Sequence, residues 1–222
     1  MFLIVFDLDG TLIDSRRDLA DATNRLIEES GGAPLSEEAI TSMVGDGAAV
    51  LVRRALAAAS LDMDPSLALA RFLEIYESCL LAHTRPYPGI EEALGSLAGT
   101  FRLAVLTNKP SRATRDILAG LDLLRWFDDV VGGDSQFPRK PDPAALLDLL
   151  SRARATAATT LMVGDSPVDL ETARRAGTEI CLARYGFGFR FDDADLTGGE
   201  HLIDAAIELV PLVRRLATRF VH

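Results

Sequence analysis

The stretch FLIVFDLDGT occupies positions 2–11 and joins a short apolar run to two aspartates. The apolar part, FLIVF at positions 2–6, is rich in β-forming residues and contains no polar interruption. A run of this length is typical of a strand that is buried on both faces, as in a parallel sheet. We therefore expect an α/β fold in which Asp7 and Asp9 follow directly after the first strand.

Four further runs of the same kind follow, and amphipathic helical patterns fill the intervals between them. The runs lie at positions 102–107, 129–132, 160–164 and 179–183. Strands that alternate with helices predict a parallel sheet with helices on both faces. The sequence therefore predicts a Rossmann-like α/β core.

The interval between the first two predicted strands is too long for one connection. It holds roughly 90 residues, whereas a parallel crossover needs little more than a helix. From Ser15 to about Ala82 we find four helical stretches and no strand candidate, with Ser36 and Asp64-Pro65 as helix-start signals. We predict a helical domain at 15–85 inserted into a core formed by 1–14 and 86–222.

Charge and hydropathy exclude several classes of partner. The 222 residues carry 23 basic and 33 acidic side chains, a net charge of −10, which argues against binding to nucleic acid. The first apolar run is too short for a signal peptide and no run reaches membrane-spanning length, so we expect a soluble cytoplasmic protein without a membrane partner. Cys79 and Cys181 have no CxxC partner, which argues against a disulfide framework or a zinc site.

The basic residues are unevenly divided between arginine and lysine. Of the 23, 21 are arginine, and the two lysines are Lys109 and Lys140. Lysine places a compact charge on a flexible stem, whereas arginine presents a planar fork. Both lysines stand beside predicted strand ends, and we expect them to mark an anion site.

Polar residues collect after the predicted strands, where ligands bind in open parallel sheets. Asp7 and Asp9 follow the first strand, and Thr107 is continued by Asn108 and Lys109. Lys140 follows the third strand, and Gly164 is followed by Asp165 and Asp169. This set offers carboxylates for a hard cation and hydroxyl, amide and ammonium groups for an anion.

The order DxDGT, TN, K and GDxxxD resembles the motif series of the haloacid dehalogenase superfamily, and the resemblance covers nearly the whole chain. It implies a phosphohydrolase in which Asp7 attacks phosphorus and forms an aspartyl-phosphate. Asp9 would protonate the leaving oxygen and then activate water. The dehalogenase branch typically lacks this second aspartate, so carbon–halogen cleavage is disfavoured.

The resemblance also implies a magnesium ion. Two negative charges about 3 Å apart repel by roughly 5 kcal/mol at an effective dielectric near 20, so an anionic nucleophile needs a cation beside the phosphate. Asp7, the main-chain carbonyl of Asp9 and Asp165 would bind Mg²⁺. Asp169 would bind it, orient one of its ligands, or serve only as an acid at a helix N-terminus.

The remaining motif residues are assigned to the phosphate and to the turn. Thr107 and the amide of Asn108 would donate to phosphoryl oxygens, and Lys140 would neutralise developing charge. Gly10 would permit the turn and Thr11 would support Asp7 or Asp9, with a plain turn role as the alternative. The segment at 184–188 follows the fifth predicted strand and is interpreted as a surface loop, with a mobile loop near the site as the alternative.

The predicted insertion resembles the helical cap of one class of this superfamily. Its segment VGDG at positions 44–47 resembles the phosphoglycolate phosphatase branch. Gly45, Asp46 and Gly47 at a helix start would present N–H groups to a small carboxylate, and Arg53 would add a second contact. A tight turn and a solvated charge are the alternatives.

The resemblance implies a magnesium-dependent phosphatase of a small phosphorylated metabolite, with 2-phosphoglycolate as the leading substrate. A pyrophosphatase, a nucleotidase and a β-phosphoglucomutase-like enzyme are alternatives in the same superfamily. A non-enzymatic phosphate-binding protein is disfavoured because Asp7, Asp9 and Asp165 are all present. The protein is expected to be a monomer or homodimer.

Overall fold

A computed structural model of the chain describes residues 1–192 and 194–220, and it has a six-stranded parallel sheet at its centre. The order of strands in this sheet is β5-β4-β1-β6-β7-β8. In chain order, the strands are β1 (Leu3–Phe6), β2 (Ile13–Asp14), β3 (Arg85–Pro86), β4 (Arg102–Leu106), β5 (Asp129–Val131), β6 (Thr160–Gly164), β7 (Glu179–Ala183) and β8 (His201–Ile203). Each of the five predicted strands is present, and the Rossmann-like α/β fold is confirmed.

Helices cover both faces of the sheet. They are α1 (Arg16–Glu29), α2 (Glu37–Thr41), α3 (Ala48–Ala58), α4 (Pro65–Glu77), α5 (Ile90–Leu97), α6 (Ser111–Gly120), α7 (Ala144–Ala153), α8 (Pro167–Ala176) and α9 (Leu209–Ala217). Successive side chains of a strand point to opposite faces. Ile4 and Phe6 of β1 accordingly belong to the core cluster that includes α5, α6 and α9, while Leu3 and Val5 belong to the one that includes α7 and α8.

The first four helices, α1 to α4, follow one another between β2 and β3, and the described residues 15–84 form no strand. Their start signals act as the sequence predicts. The Ser36 side chain accepts a hydrogen bond from the N–H of Ala39, and Asp64 accepts from Ser66 and Leu67 with Pro65 as the first helical residue. We call the segment 15–85 the cap and the remainder the core; this division stays a prediction.

The two chain segments that link cap and core lie side by side. β2 pairs antiparallel with β3, so that Asp14 lies opposite Arg85. Just inside the cap, the buried carboxylate of Asp18 accepts hydrogen bonds from the main chain of His83 and Thr84 and from the Thr84 hydroxyl, over 2.7–3.0 Å. We call these two linking segments, residues 13–18 and 83–86, the hinge. They are held together by backbone pairing and by the buried carboxylate of Asp18.

Three short strands were not predicted: β2 and β3, with two residues each, and β8. β8 is three residues long and pairs with β7 at the edge of the sheet, with Leu202 39% exposed. A strand this short, with its central residue facing solvent, produces no continuous apolar run. Among the described residues, none of the helices is long and apolar enough to cross a membrane.

Candidate active site

The site lies at the carboxyl ends of three adjacent strands. Strand β1 pairs with β4 on one side and with β6 on the other. Asp7, Thr107 and Asp165 each follow directly after one of these strands. The topology therefore brings together residues that are up to 158 positions apart in the sequence.

Three buried aspartates form a cluster at this edge. Carboxylate oxygens of Asp7, Asp165 and Asp169 all lie within 4.8 Å of one another. Burial, reinforced by the charge of Asp169, raises the pKa of Asp7 to about 6. Burial and the charges of Asp169 and Asp7 also raise the pKa of Asp165 well above its ordinary value. The carboxylates of Asp7 and Asp165 therefore hold a proton more tightly than exposed aspartates do.

Lys140 contacts two members of this cluster. Its Nζ atom lies 2.8 Å from Asp7 Oδ1 and 2.6 Å from Asp169 Oδ1, and its side chain is almost fully buried. Burial alone would lower the pKa of Lys140, but the charges of Asp169 and Asp7 raise it above the ordinary lysine value. Lys140 therefore stays a cation in contact with the carboxylate of Asp7.

Both carboxylate oxygens of Asp169 are engaged by hydrogen-bond donors. Oδ1 accepts from Lys140, while Oδ2 accepts from the main-chain N–H groups of Asp165 and Ser166 and from the Ser166 hydroxyl. Ser166 is in turn the N-cap of α8. Asp169 thus ties Lys140, the main chain of Asp165 and the start of a helix together.

The other lysine is paired with the other motif aspartate. Lys109 Nζ lies 3.0 and 2.9 Å from the two carboxylate oxygens of Asp9, and the Ser15 hydroxyl donates to Asp9 Oδ1 at 2.5 Å. Burial alone would lower the pKa of Lys109, but its interactions with Asp9 and Tyr76 together raise that pKa above the ordinary lysine value. The structure thus places Lys109 inside the site, as the sequence predicts.

The side chain of Asn108 is fully used within the protein. Its Nδ2 donates to the carbonyls of Gly45 and Lys140 at 3.0 Å each, and its Oδ1 accepts from the N–H of Lys140 at 2.9 Å. The amide that can serve a phosphate is therefore the main-chain N–H of Asn108. Thr107 accepts from the N–H of Lys109 through Oγ1, which leaves its hydroxyl hydrogen free to donate.

Thr11 supports a different carboxylate from the two that the sequence suggested. Its hydroxyl donates to Asp165 Oδ1 at 3.1 Å, not to Asp7 or Asp9. The turn at Gly10 explains this contact: Gly10 has a φ of +88°, and a Cβ there would lie 2.0 Å from Asp165 Oδ2. Gly10 and Thr11 therefore act as supports for Asp165.

The segment at 184–188 packs against the site, so the favoured interpretation as a surface loop was wrong and the alternative, a loop near the site, is the one that the contacts support. The N–H of Gly188 donates to Asp165 Oδ2 at 2.7 Å, and the Tyr185 hydroxyl donates to the carbonyl of Thr11. A Cβ at Gly186 would lie 2.3 Å from the Cβ of Asp165. The two glycines two positions apart, directly after a buried strand, were the available signal for this close approach.

A cavity opens over these residues between core and cap. Its core side includes Asp7, Asp9, Thr107, Asn108, Lys109, Asp165 and Phe187, and its cap side includes Leu19, Val44, Gly45, Gly47, Ala48, Leu51, Phe72, Leu73 and Tyr76. The predicted Gly45 and Gly47 line it. The sequence analysis missed Tyr76 because a tyrosine within an apolar helix pattern is indistinguishable from an ordinary core residue.

The structure does not bring two predicted cap residues into this cavity. Asp46 forms an ion pair of 2.7 Å with Arg54 instead. Arg53 is exposed on α3 and lines a separate groove with Val52 and Leu56. The buried face of α3 consists of Leu51, Val52, Ala55 and Leu56, so position 53 faces away from the core.

The donor set of the site fits a divalent cation. Within the described part of the chain, Asp7, Asp9, Asp165 and Asp169 are paired with two cations, Lys109 and Lys140. Burial, together with the neighbouring carboxylates, raises the pKa values of Asp7 and Asp165, and a metal ion with a preference for oxygen ligands would stabilise their charged forms. All three carboxylates of the cluster are close enough to share an ion. Asp169 accepts four hydrogen bonds, whereas Asp165 accepts two and Asp7 contacts Lys140, so Asp7 and Asp165 have more acceptor capacity left for a metal ion.

Comparisons with known proteins agree with this geometry. The phosphoglycolate phosphatase of Rhodospirillum rubrum is 46% identical over 192 residues, which cover 83% of this chain and 80% of the relative. That of Cereibacter sphaeroides is 40% identical over 222 residues, which cover 96% and 98% of the two chains. A crystal structure described as a predicted phosphoglycolate phosphatase from Haemophilus somnus superposes with a TM-score of 0.90 at 29% identity, over 96% of this chain and 97% of that one.

A family model described as haloacid dehalogenase-like hydrolase matches residues 4–183, from the first strand to the end of β7. The matched range includes all of the aspartates and lysines of the site described above. The chain therefore belongs to the haloacid dehalogenase-like hydrolase family.

Proposed function

We propose that this protein is a magnesium-dependent phosphatase that hydrolyses 2-phosphoglycolate to glycolate and phosphate through an aspartyl-phosphate on Asp7. One observation carries the reaction class: the carboxylate of Asp7 lies at the end of the central strand, in contact with Lys140 and beside Asp165. The substrate rests on the two relatives named above, at 46% and 40% identity.

In this proposal the carboxylate of Asp7 attacks phosphorus, and the bond to the bridging oxygen of the substrate breaks. The ammonium of Lys140, 2.8 Å from Asp7 Oδ1, offsets the charge that builds up on the phosphoryl group. The Thr107 hydroxyl and the main-chain N–H of Asn108 are the donors for phosphoryl oxygens. The phosphate is thus held by the core alone.

Asp9 serves as acid and then as base. It gives a proton to the bridging oxygen, which leaves as the hydroxyl of glycolate, and it takes a proton from the water that attacks the aspartyl-phosphate. Lys109 and Ser15 hold its carboxylate in place between these steps. Hydrolysis releases phosphate and restores the carboxylate of Asp7.

Asp7, Asp165 and the main-chain carbonyl of Asp9 would hold the metal ion, and Mg²⁺ is the ion that suits an all-oxygen set of this kind. When bound, the ion supplies positive charge that lets the anionic nucleophile approach the phosphate dianion. Asp169 is a positioning residue in this scheme. Its two oxygens hold Lys140 and the main chain of Asp165 rather than the ion.

The cap would enclose the organic part of the substrate and exclude water from the site. Gly45 and Gly47 line the cavity, and the Gly45 carbonyl accepts from the core residue Asn108. We place the cap at 15–85 and the core at 1–14 and 86–222.

The enzyme would act in the cytoplasm as a monomer or homodimer, with neither nucleic acid nor membrane as a partner.

The test is a phosphate-release screen with 2-phosphoglycolate, pyrophosphate, nucleoside monophosphates and sugar phosphates, each with and without Mg²⁺. We expect the highest kcat/KM for 2-phosphoglycolate, and only with Mg²⁺. Asp7→Asn should abolish turnover, whereas Asp116→Asn, an exposed aspartate on α6, should not. A screen that peaks on pyrophosphate or nucleotides would refute the substrate, and an active Asp7→Asn enzyme would refute the mechanism.

A further inference from the structure

Tyr76, on the cap helix α4, has a buried hydroxyl with no hydrogen-bond partner. The residue is 3% exposed, and its side chain lines the cavity above the catalytic aspartates. Buried hydroxyl groups are normally paired, so an unpaired one that borders a cavity calls for an explanation. The simplest one is that its partner is part of the ligand.

The surroundings of Tyr76 define the chemistry of that partner. The ammonium of Lys109 lies 4.7 Å from the centroid of the Tyr76 ring. Burial raises the pKa of Tyr76 to about 12, so the phenol is neutral at physiological pH and is available as a donor. A neutral O–H donor beside an ammonium favours an anionic acceptor.

The rest of the cap wall cannot serve such an acceptor through its side chains. Of the described cap residues that line the cavity, Leu19, Val44, Leu51, Phe72 and Leu73 are apolar, and Gly45, Gly47 and Ala48 carry no polar side-chain group. Tyr76 is therefore the one cap residue in this lining with a polar side-chain atom. Arg53, which the sequence suggested for this task, lies elsewhere.

We propose that Tyr76 is a specificity-determining residue: its hydroxyl and the ammonium of Lys109 together bind the carboxylate of the substrate. This inference rests on the proposed function, because it takes 2-phosphoglycolate as the carboxylate-bearing phosphate. Lysine has three N–H donors, and the two oxygens of Asp9 accept from Lys109, which leaves a donor for the ligand. The two carboxylate oxygens of the substrate would thus each meet one donor.

The same arrangement explains selection against other phosphates. A substrate with a methyl group in place of the carboxylate would leave both the Tyr76 hydroxyl and one Lys109 donor unpaired. A site built to hydrogen-bond a polar group rejects analogues that lack the group, because its own buried groups then lose their partners. The apolar remainder of the wall offers no compensating contact to the hydroxyl groups of a sugar.

The test compares 2-phosphoglycolate with ethyl phosphate, in which a methyl group replaces the carboxylate, for the wild type and Tyr76→Phe. We expect Tyr76→Phe to lower kcat/KM for 2-phosphoglycolate about tenfold, mainly by raising KM, because one hydrogen bond to a charged group is lost. Turnover of ethyl phosphate should stay within about twofold, since that substrate never engages the hydroxyl.

The matched control is Tyr87→Phe. Tyr87 also has a buried hydroxyl without a partner, but it lies next to the hinge and does not line the cavity. This variant should leave both substrates unaffected. An equal loss with both substrates in Tyr76→Phe, or no loss with either, would refute the role of Tyr76 while the proposed function stood. A wild-type enzyme that does not prefer 2-phosphoglycolate to ethyl phosphate would instead refute the proposed substrate and, with it, the carboxylate contact.

Discussion

The ammonium of Lys140 lies 2.6 Å from Oδ1 of Asp169, and neither side chain has more than 2% of its surface exposed. The second oxygen of Asp169 accepts three further hydrogen bonds from Asp165 and Ser166. Both carboxylate oxygens of Asp169 therefore act as acceptors. An asparagine at this position would have one acceptor oxygen and would turn its NH2 group, a donor, toward the other donors. This pair determines where both Lys140 and Asp165 lie.

We accordingly expect Asp169→Asn to reduce the free energy of unfolding by about 3 kcal/mol, because it leaves the buried Lys140 with one counter-charge fewer. Phosphatase activity should fall by at least about tenfold, because the Lys140 ammonium is no longer held in position. Urea denaturation and steady-state kinetics measure the two effects. Asp148→Asn, which alters a partly exposed ion pair with Arg152, is the control. A stable, fully active Asp169→Asn protein would contradict the positioning role.

The close approach of the 184–188 loop to Asp165 leads to a second prediction. A methyl group at position 186 would overlap the Cβ of Asp165 and the carbonyl oxygen of Gly10, both 2.3 Å away. Gly186→Ala should therefore cost about 1–3 kcal/mol of stability and weaken Mg²⁺ binding, because Asp165 has to move. At Gly199, the nearest atom would be 3.7 Å from the new methyl group, so Gly199→Ala is the control. Equal stability and equal Mg²⁺ affinity in the two variants would count against this role for the loop.

The elevated pKa of Asp7 predicts how Mg²⁺ binding depends on pH. With a pKa of about 6 in the folded protein, Asp7 is protonated below that pH, and the metal ion must displace the proton. We expect the affinity for Mg²⁺ to fall by at least about tenfold per pH unit below pH 6, because Asp7 must lose its proton when the ion binds and the pKa of Asp165, the other proposed ligand, is raised as well. Isothermal titration calorimetry between pH 5 and pH 8 measures this slope, and an affinity that is constant across the range would argue against Asp7 as a ligand.

The same group affects the stability of the metal-free protein. The pKa of Asp7 is higher in the folded chain than its ordinary value of 3.8, so the folded state binds the proton more tightly. The titration of Asp7 therefore lowers the free energy of unfolding of the metal-free protein as the pH rises from about 4 to about 6. This free energy stays lower above pH 6. Mg²⁺ should consequently raise Tm more at pH 7.5 than at pH 5, which differential scanning fluorimetry can measure.

A fifth prediction concerns the hinge. The carboxylate of Asp18 accepts two main-chain and one hydroxyl hydrogen bond from His83 and Thr84, where the chain returns to the core. Asp18→Ala should lower the free energy of unfolding by about 2–3 kcal/mol, because it leaves buried donors unpaired. Cleavage by a protease should also become faster near position 83. Asp21→Ala, an exposed site on the same helix, should change neither quantity.

Most of the fold could be predicted from the sequence because the central strands are buried on both faces. Residues 3–6 and 161–163 are continuous apolar runs, and the strands β1 and β6 in the structure match them closely. β2 and β3 have two residues each, and β8 has three. Elements this short depend on pairing with distant partners, which leaves no periodic pattern in the sequence.

The site could be predicted in part for a related reason. Asp7 and Asp165 directly follow strand ends, and the order of the strands suffices to bring them together, whereas Lys140 lies in the loop between β5 and α7. The donor to Asp165 from Gly188 depends on the path of a loop after β7, which no local pattern specifies. Arg53 does not line the cavity, and the apolar residues at 51, 52, 55 and 56 already assign position 53 to the outer face of α3.

The pairing of Asp14 with Arg85 also bears on how the chain folds. Strand β1 pairs with β4, and Leu3 lies opposite Arg102, about 100 residues later in the chain. The entropy lost on closing such a loop grows with the length of the loop. If α1 to α4 associate first, the β2–β3 contact shortens the loop that must close to about 30 residues, which lowers the cost by about 1 kcal/mol. The cap interrupts the core in sequence, yet in folding it would bring the two central strands together sooner.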